Sequence, residues 1–173
     1  MGITGVLFNP NGRIAPNDFW RGIIVLVGYL IVSNVLTAFL PPPVPSIFGL
    51  LFYLLPYPYL CVFGKRLHDS GRSAWWFVLI FFAFIATLMI TVMTLPGWSD
   101  VMKAFEDPNV ATDQQAMNEL MQETFSTPRV AIQFMGAIFG FNLVAGYLVA
   151  RLPSNPETNQ HGPPTQSVSG TFS

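Results

Sequence analysis

Residues 74–95 read AWWFVLIFFAFIATLMITVMTL, 22 positions without a charge. A helix rises about 1.5 Å per residue and a bilayer's hydrocarbon core is about 30 Å thick, so roughly 20 apolar residues are enough to cross it. A buried helix of a soluble bundle carries a polar stripe at about every 3.6 residues. This stretch shows none and reads as a membrane span. Three further uncharged runs, 22–40, 47–64 and 130–150, hold 19, 18 and 21 residues and read the same way. The expectation is an all-α fold, a four-helix transmembrane bundle. The run at 22–40 exceeds the roughly 7–15 residues of a signal-peptide core and lacks a small-x-small cleavage pattern, so it reads as a retained helix.

Composition agrees. Of 173 residues, 51% are apolar and only 10% charged, against roughly 25% charged in ordinary soluble domains. Too little charge is present to solvate a surface while hiding 16 Phe, 5 Tyr and 4 Trp. A net charge of -1 and a pI near 6.0 argue against a nucleic-acid partner. The single cysteine, Cys61, excludes an intramolecular disulfide framework and a cysteine-based zinc site.

Charge placement predicts orientation. Arg13 and Arg21 precede the first run, Lys65, Arg66 and Arg72 separate the second from the third, and Arg151 follows the fourth. The loop at 96–129 holds only Lys103 and Arg129. Positive charge in short loops marks the cytoplasmic side, so both termini are expected in the cytoplasm and 96–129 outside. Trp20, Trp75, Trp76 and Trp98 lie near span ends, where amphipathic rings favour the interface.

Residues 1–152 thus form the expected membrane domain, and the polar stretch 153–173 reads as a disordered cytoplasmic tail. Asn17 or Asp18 is placed to cap the first helix, with Pro16 stopping anything upstream. Pro56 and Pro58 fall inside the second run and leave the Phe52 and Leu54 carbonyls without helical donors, which predicts a kink. In the outer loop, Thr112 and Gln115 make a capping-box pattern, followed by Ala116, Met117, Leu120, Met121 and Phe125 at helical spacing. Short amphipathic helices are expected there, one acidic and another near 99–105. The methionines read as packing rather than a copper site.

The densest polar constellation is KRLHDSGRSAWW at 65–76. On a helix continuing out of the second run, Arg66 and Asp69 are three apart and can pair, as can Lys65 and Asp69. Gly71 is placed to end that helix and Ser73 to cap the next.

The segment RLHDSGRSAWW resembles the signature of the DUF805, or YhaH-like, family of small bacterial inner-membrane proteins. The upstream GRIAPNDFW at 12–20 is similar to that family's opening element, and Asn159-Gln160-His161-Gly162-Pro163 resembles its short tail motif, with His161 where an aromatic is more usual. The resemblance implies a four-helix protein of the bacterial inner membrane and no assigned activity.

Three functions are weighed. The first is a binding protein that meets anionic lipid headgroups or a protein partner through Arg13, Lys65, Arg66, His68, Asp69, Arg72, Trp75 and Trp76. The bland counterpart is that these residues set topology and lock a turn. The second is a small channel or transporter subunit for a neutral solute, since no span carries an ionisable residue. The third, an enzyme using His68 and Asp69, is not favoured: adjacent helical residues point about 100° apart, and no metal motif, P-loop or dinucleotide fingerprint implies a cofactor. Gly136 and Gly140 form a GxxxG in the fourth run, permitting close helix approach within the chain or in a homo-oligomer.

Overall fold

The structure, a computed structural model, describes residues 2–41 and 43–165. It is helical, with no strand among the described residues: α1 Ile3–Phe8, α2 Pro16–Phe39, α3 Val44–Phe52, α4 Pro56–Asp69, α5 Trp76–Met93, α6 Trp98–Glu106, α7 Pro108–Ala111, α8 Gln114–Phe125 and α9 Pro128–Ala150. Among the described residues three helical stretches are long and apolar enough to cross a membrane: Ser46–Asp69, Trp76–Met93 and Pro128–Ala150. They correspond to the second, third and fourth expected runs.

Local chemistry sets the ends. α2 starts at Pro16 itself, with extended Ala15 as the cap, not at the expected Asn17 or Asp18. Proline's fixed φ suits the first helical turn, and its missing N–H is one that a helix start leaves unbonded anyway. Asp18 then lies in the first turn, favourable to the helix dipole, and pairs with Arg21 at 3.2 Å.

The expected break in the second run falls at 53–55, between α3 and α4. The two carbonyls orphaned by Pro56 and Pro58 are not left bare. Phe52 O accepts from the Leu55 N–H and Leu54 O from the Tyr57 N–H, both at 3.2 Å, in tight i to i+3 turns. α4 ends as its sequence predicts: Gly71 takes φ +73°, and the Arg72 N–H reaches back to Leu67 O at 2.9 Å.

Two compact units are distinguishable. The first comprises residues up to Ile80 and those from Asn142 onward. Its core gathers Val6 and Leu7 of α1, Phe19, Ile23 and Leu26 of α2, Val62 and Phe63 of α4, and Val149 and Ala150 of α9. Phe19 and Phe63 meet edge to face, ring centres 5.2 Å apart. α2 and α4 approach so closely that a Cβ on Gly22 would stand 2.9 Å from Val62 Cγ2.

The second unit, Phe81–Phe141, holds the short helices of the loop. α6 buries Val101 and Ala104, and α8 turns Thr124 inward. Ala116, Met117, Leu120, Met121 and Phe125 are half-buried along the same side, as their spacing predicts. The cap of α8 is Asp113, one residue after the expected Thr112, accepting from the N–H groups of Gln115 and Ala116 at 3.0 and 3.1 Å. A carboxylate is the stronger acceptor at a helix start.

Candidate functional site

The last turns of α4 place Lys65, Arg66, His68 and Asp69 inside the first unit rather than on its surface. Lys65 and Asp69 are fully buried, Arg66 is 1% exposed and Arg13 7%. Charges at such depth are tolerated only when their hydrogen-bonding capacity is met.

Asp69 is the hub. Its Oδ2 accepts from Arg66 Nη1, three residues earlier on the same helix, and from Ser154 Oγ at 2.6 Å. Its Oδ1 accepts from Arg13 Nε at 3.2 Å and from Thr165 Oγ1 at 2.6 Å. One carboxylate thus receives four donors from three separate parts of the chain.

The cations are met mostly by backbone carbonyls, at helix ends and in the segment after α9. Arg66 Nη2 donates to Ala150 O at 2.9 Å and to Leu152 O, at the C-terminus of α9. Lys65 Nζ donates to Val6 O at 2.8 Å and to Gly5 O, carbonyls in the last turn of α1. The final carbonyls of a helix lack internal donors and carry the negative end of its dipole, so a buried cation is well placed there. Arg13 Nη1 donates to Glu157 O at 2.8 Å, and Nη2 to Asp69 O at 3.1 Å and to Asn155 O. Of the two expected partners for Asp69 on α4, Arg66 pairs with it and Lys65 does not; Lys65 turns to α1 instead.

The segment after α9 completes the node. The Asn155 N–H donates to Asp69 O at 2.7 Å and Asn159 Nδ2 to His68 O at 3.0 Å. Asn159 and Gly162 close a short turn with reciprocal backbone bonds of 3.2 and 2.9 Å. The His161 ring lies flat on the His68 ring, centres 3.5 Å apart. Residues 153–165, part of the stretch expected as a disordered tail, thus supply donors and acceptors to the buried charges while staying largely exposed themselves. Residues 166–173 lie outside the described residues.

The remaining candidates face outward. Arg72 is exposed, its guanidinium 5.5 Å from the Trp76 ring centre. Trp75 is 78% exposed and Trp76 49%. Arg13, Lys65, Arg66 and Asp69 are therefore brought together as an internal network, whereas Arg72, Trp75 and Trp76 form a separate exposed edge. Ser154, Asn155 and Thr165 were missed by the sequence reading. A lone polar residue in a polar segment has no periodic signature. Gly136 and Gly140 have open space where a Cβ would stand. No group of three or more metal-capable side chains occurs among the described residues.

Three helical stretches long and apolar enough to cross a membrane, with a buried polar network where α4 ends, mark a helical membrane protein. The chain belongs to the DUF805 family: residues 7–103 match the family described as "Protein of unknown function (DUF805)". It is similar to the inner membrane protein YhaH of Escherichia coli strain K12, with 33% identity over 88 residues that cover 47% of this chain and 70% of the relative. The YhaH of Escherichia coli O157:H7 matches to the same extent. No solved structure matches. The family match takes in Arg13, Lys65, Arg66, His68, Asp69, Arg72, Trp75 and Trp76 but stops short of α9 and of the segment that completes the node.

Proposed function

We propose that the chain is a four-span, non-enzymatic protein of the bacterial inner membrane with both termini cytoplasmic. In this reading it binds anionic headgroups through Arg72, Trp75 and Trp76 and uses Arg13, Lys65, Arg66 and Asp69 as a staple. The inner-membrane relatives support the location. α2, 24 residues long and uncharged from Gly22 onward, supports a fourth span. The excess of Arg and Lys flanking the span ends near the node supports the orientation.

One observation carries the division of labour. Arg13, Lys65 and Arg66 are buried and donate to the chain's own acceptors, whereas Arg72 of the same motif is exposed and stacked on a tryptophan. A guanidinium held over an interfacial ring meets a headgroup phosphate with donors still free. A cavity of about 620 Å³ lined by Leu7, Val25, Leu51, Leu54, Pro56 and neighbouring residues is almost wholly apolar. That lining suits lipid tails better than a hydrated solute and weighs against the pore reading. Open space at Gly136 and Gly140 supports a homo-oligomer through α9.

Native mass spectrometry of purified protein tests this. Arg72→Ala is expected to lose bound anionic lipid at unchanged thermal stability, and Arg66→Ala to lose stability first. Equal lipid retention by Arg72→Ala and wild type would end the headgroup reading. The same spectra report the oligomer, which Gly136→Leu/Gly140→Leu is expected to dissociate; an unchanged mass distribution removes α9 as the interface.

A further inference from the structure

The His68–His161 pair is used by neither the staple nor the proposed headgroup edge. We propose that it is an acid-released latch, holding the segment 153–165 onto the node when at most one ring is protonated and letting it go when both are. The inference stands apart from the headgroup reading and rests on the node's geometry alone.

The two rings lie parallel with centres 3.5 Å apart, one on α4 and the other on the segment it holds down. Imidazole is the side chain whose ordinary titration falls between about pH 5 and 8. Two neutral rings, or one neutral and one charged, stack favourably face to face. Two imidazoliums at this separation repel, and the other charged groups of the node are these. Arg13 comes from the turn before α2, Lys65 and Arg66 lie on α4 itself, and Arg72 follows in the loop after it. Against these stand Asp69 on α4, already receiving four donors, and Glu157 on the docked segment. His68 Nδ1 is buried with no hydrogen-bond partner; burial and the facing His161 ring disfavour a proton on His68, and the nearby Gly12 carbonyl offsets them in part. Gln160 Nε2 lies 3.2 Å from His161 Nε2, occupying that ring's outer nitrogen.

A metal site is the competing use of two histidines, and the stacking argues against it. Ring-nitrogen lone pairs lie in the ring planes, so in parallel stacked rings they run side by side and do not converge on one ion.

A second proton on the docked pair would face the first across 3.5 Å, a cost that the released segment does not carry. Acid therefore favours release, by roughly tenfold per pH unit once the second proton binds only the released segment. Release would also uncover Asp69, because Ser154, Asn155 and Thr165 leave with the segment.

Hydrogen–deuterium exchange of the full chain in detergent, corrected for intrinsic exchange, tests this at the Asn155 amide. That amide donates directly to Asp69 O across the latch. In wild type its protection is expected to fall about tenfold per pH unit somewhere between about pH 7 and 5. In His161→Phe, which keeps a flat ring and removes the charge, protection is expected to stay level. Should that variant not fold, His68→Phe removes the same repulsion from the other side. Level protection in wild type overturns the proposal. So does an equal fall in the phenylalanine variant, which would assign the response to Asp69 or another acid group.

Discussion

Arg66 and Asp69 stand one helical turn apart on α4 and face each other with side chains 1% and 0% exposed. An ion pair on a solvent-facing helix contributes about 0.3–0.5 kcal/mol. Removing one partner of a buried pair costs about 3–5 kcal/mol, because the other charge is left desolvated and alone. Asp69→Ala strands two guanidiniums at once, Arg13 and Arg66, and is expected to lower stability by at least that single-partner cost. Thr165→Val removes one of four donors and is expected to cost about 1 kcal/mol. Thermal unfolding of purified variants gives both; similar midpoints for the two would contradict the hub role of Asp69.

Lys65 ties α1 to α4 through the carbonyls of Gly5 and Val6. α1 has six residues, too few to hold as an isolated helix in water. Lys65→Met keeps most of the side chain's bulk and removes the tether. Amides of α1 are expected to lose protection in hydrogen exchange while those of α9 keep theirs. Uniform loss across the chain would mean that Lys65 supports the whole unit.

A methyl group separates two otherwise similar glycines of α2. A Cβ at Gly22 would press on Val62 at 2.9 Å and Val6 at 3.1 Å, whereas one at Gly28 meets nothing within 4 Å. Gly22→Ala is expected to destabilise by about 1–3 kcal/mol. Gly28→Ala is expected to be neutral or slightly stabilising through helix propensity. Denaturation midpoints in the same detergent compare them, and equal shifts would show that α2 and α4 do not pack this closely.

Orientation is open to chemical labelling. Asn11 and Asn118 are exposed, the first before α2 and the second on α8. With Cys61 replaced by alanine, a cysteine at 118 is expected to react with an impermeant maleimide in intact cells. A cysteine at 11 is expected to react only after lysis. The opposite pattern would place both termini outside.

The parts of this chain legible from sequence are those governed by local periodicity. Three runs become helices of crossing length because nothing charged interrupts them, and Arg66 finds Asp69 because three residues make one turn. Gly71 ends α4 because only a glycine adopts φ +73° without strain. What escaped is long-range. Arg13 reaches Asp69 across 56 positions and Thr165 across 96, and such pairings leave no trace in the intervening sequence. α1 escaped because six residues, ITGVLF, are too few to distinguish helix from strand by period. The segment 153–165 looked disordered because composition registers polarity, not whether buried charges elsewhere await those polar groups.

The order in which the chain is made sets when the node can close. Arg13, Lys65, Arg66 and Asp69 leave the ribosome well before Ser154, Asn155 and Thr165. A chain arrested or clipped anywhere before position 154 would carry two guanidiniums and one carboxylate into an apolar setting with half their partners unsynthesised. Until residues 154–165 are made those charges stand partly unmet, so the node can close only after α9 has been synthesised.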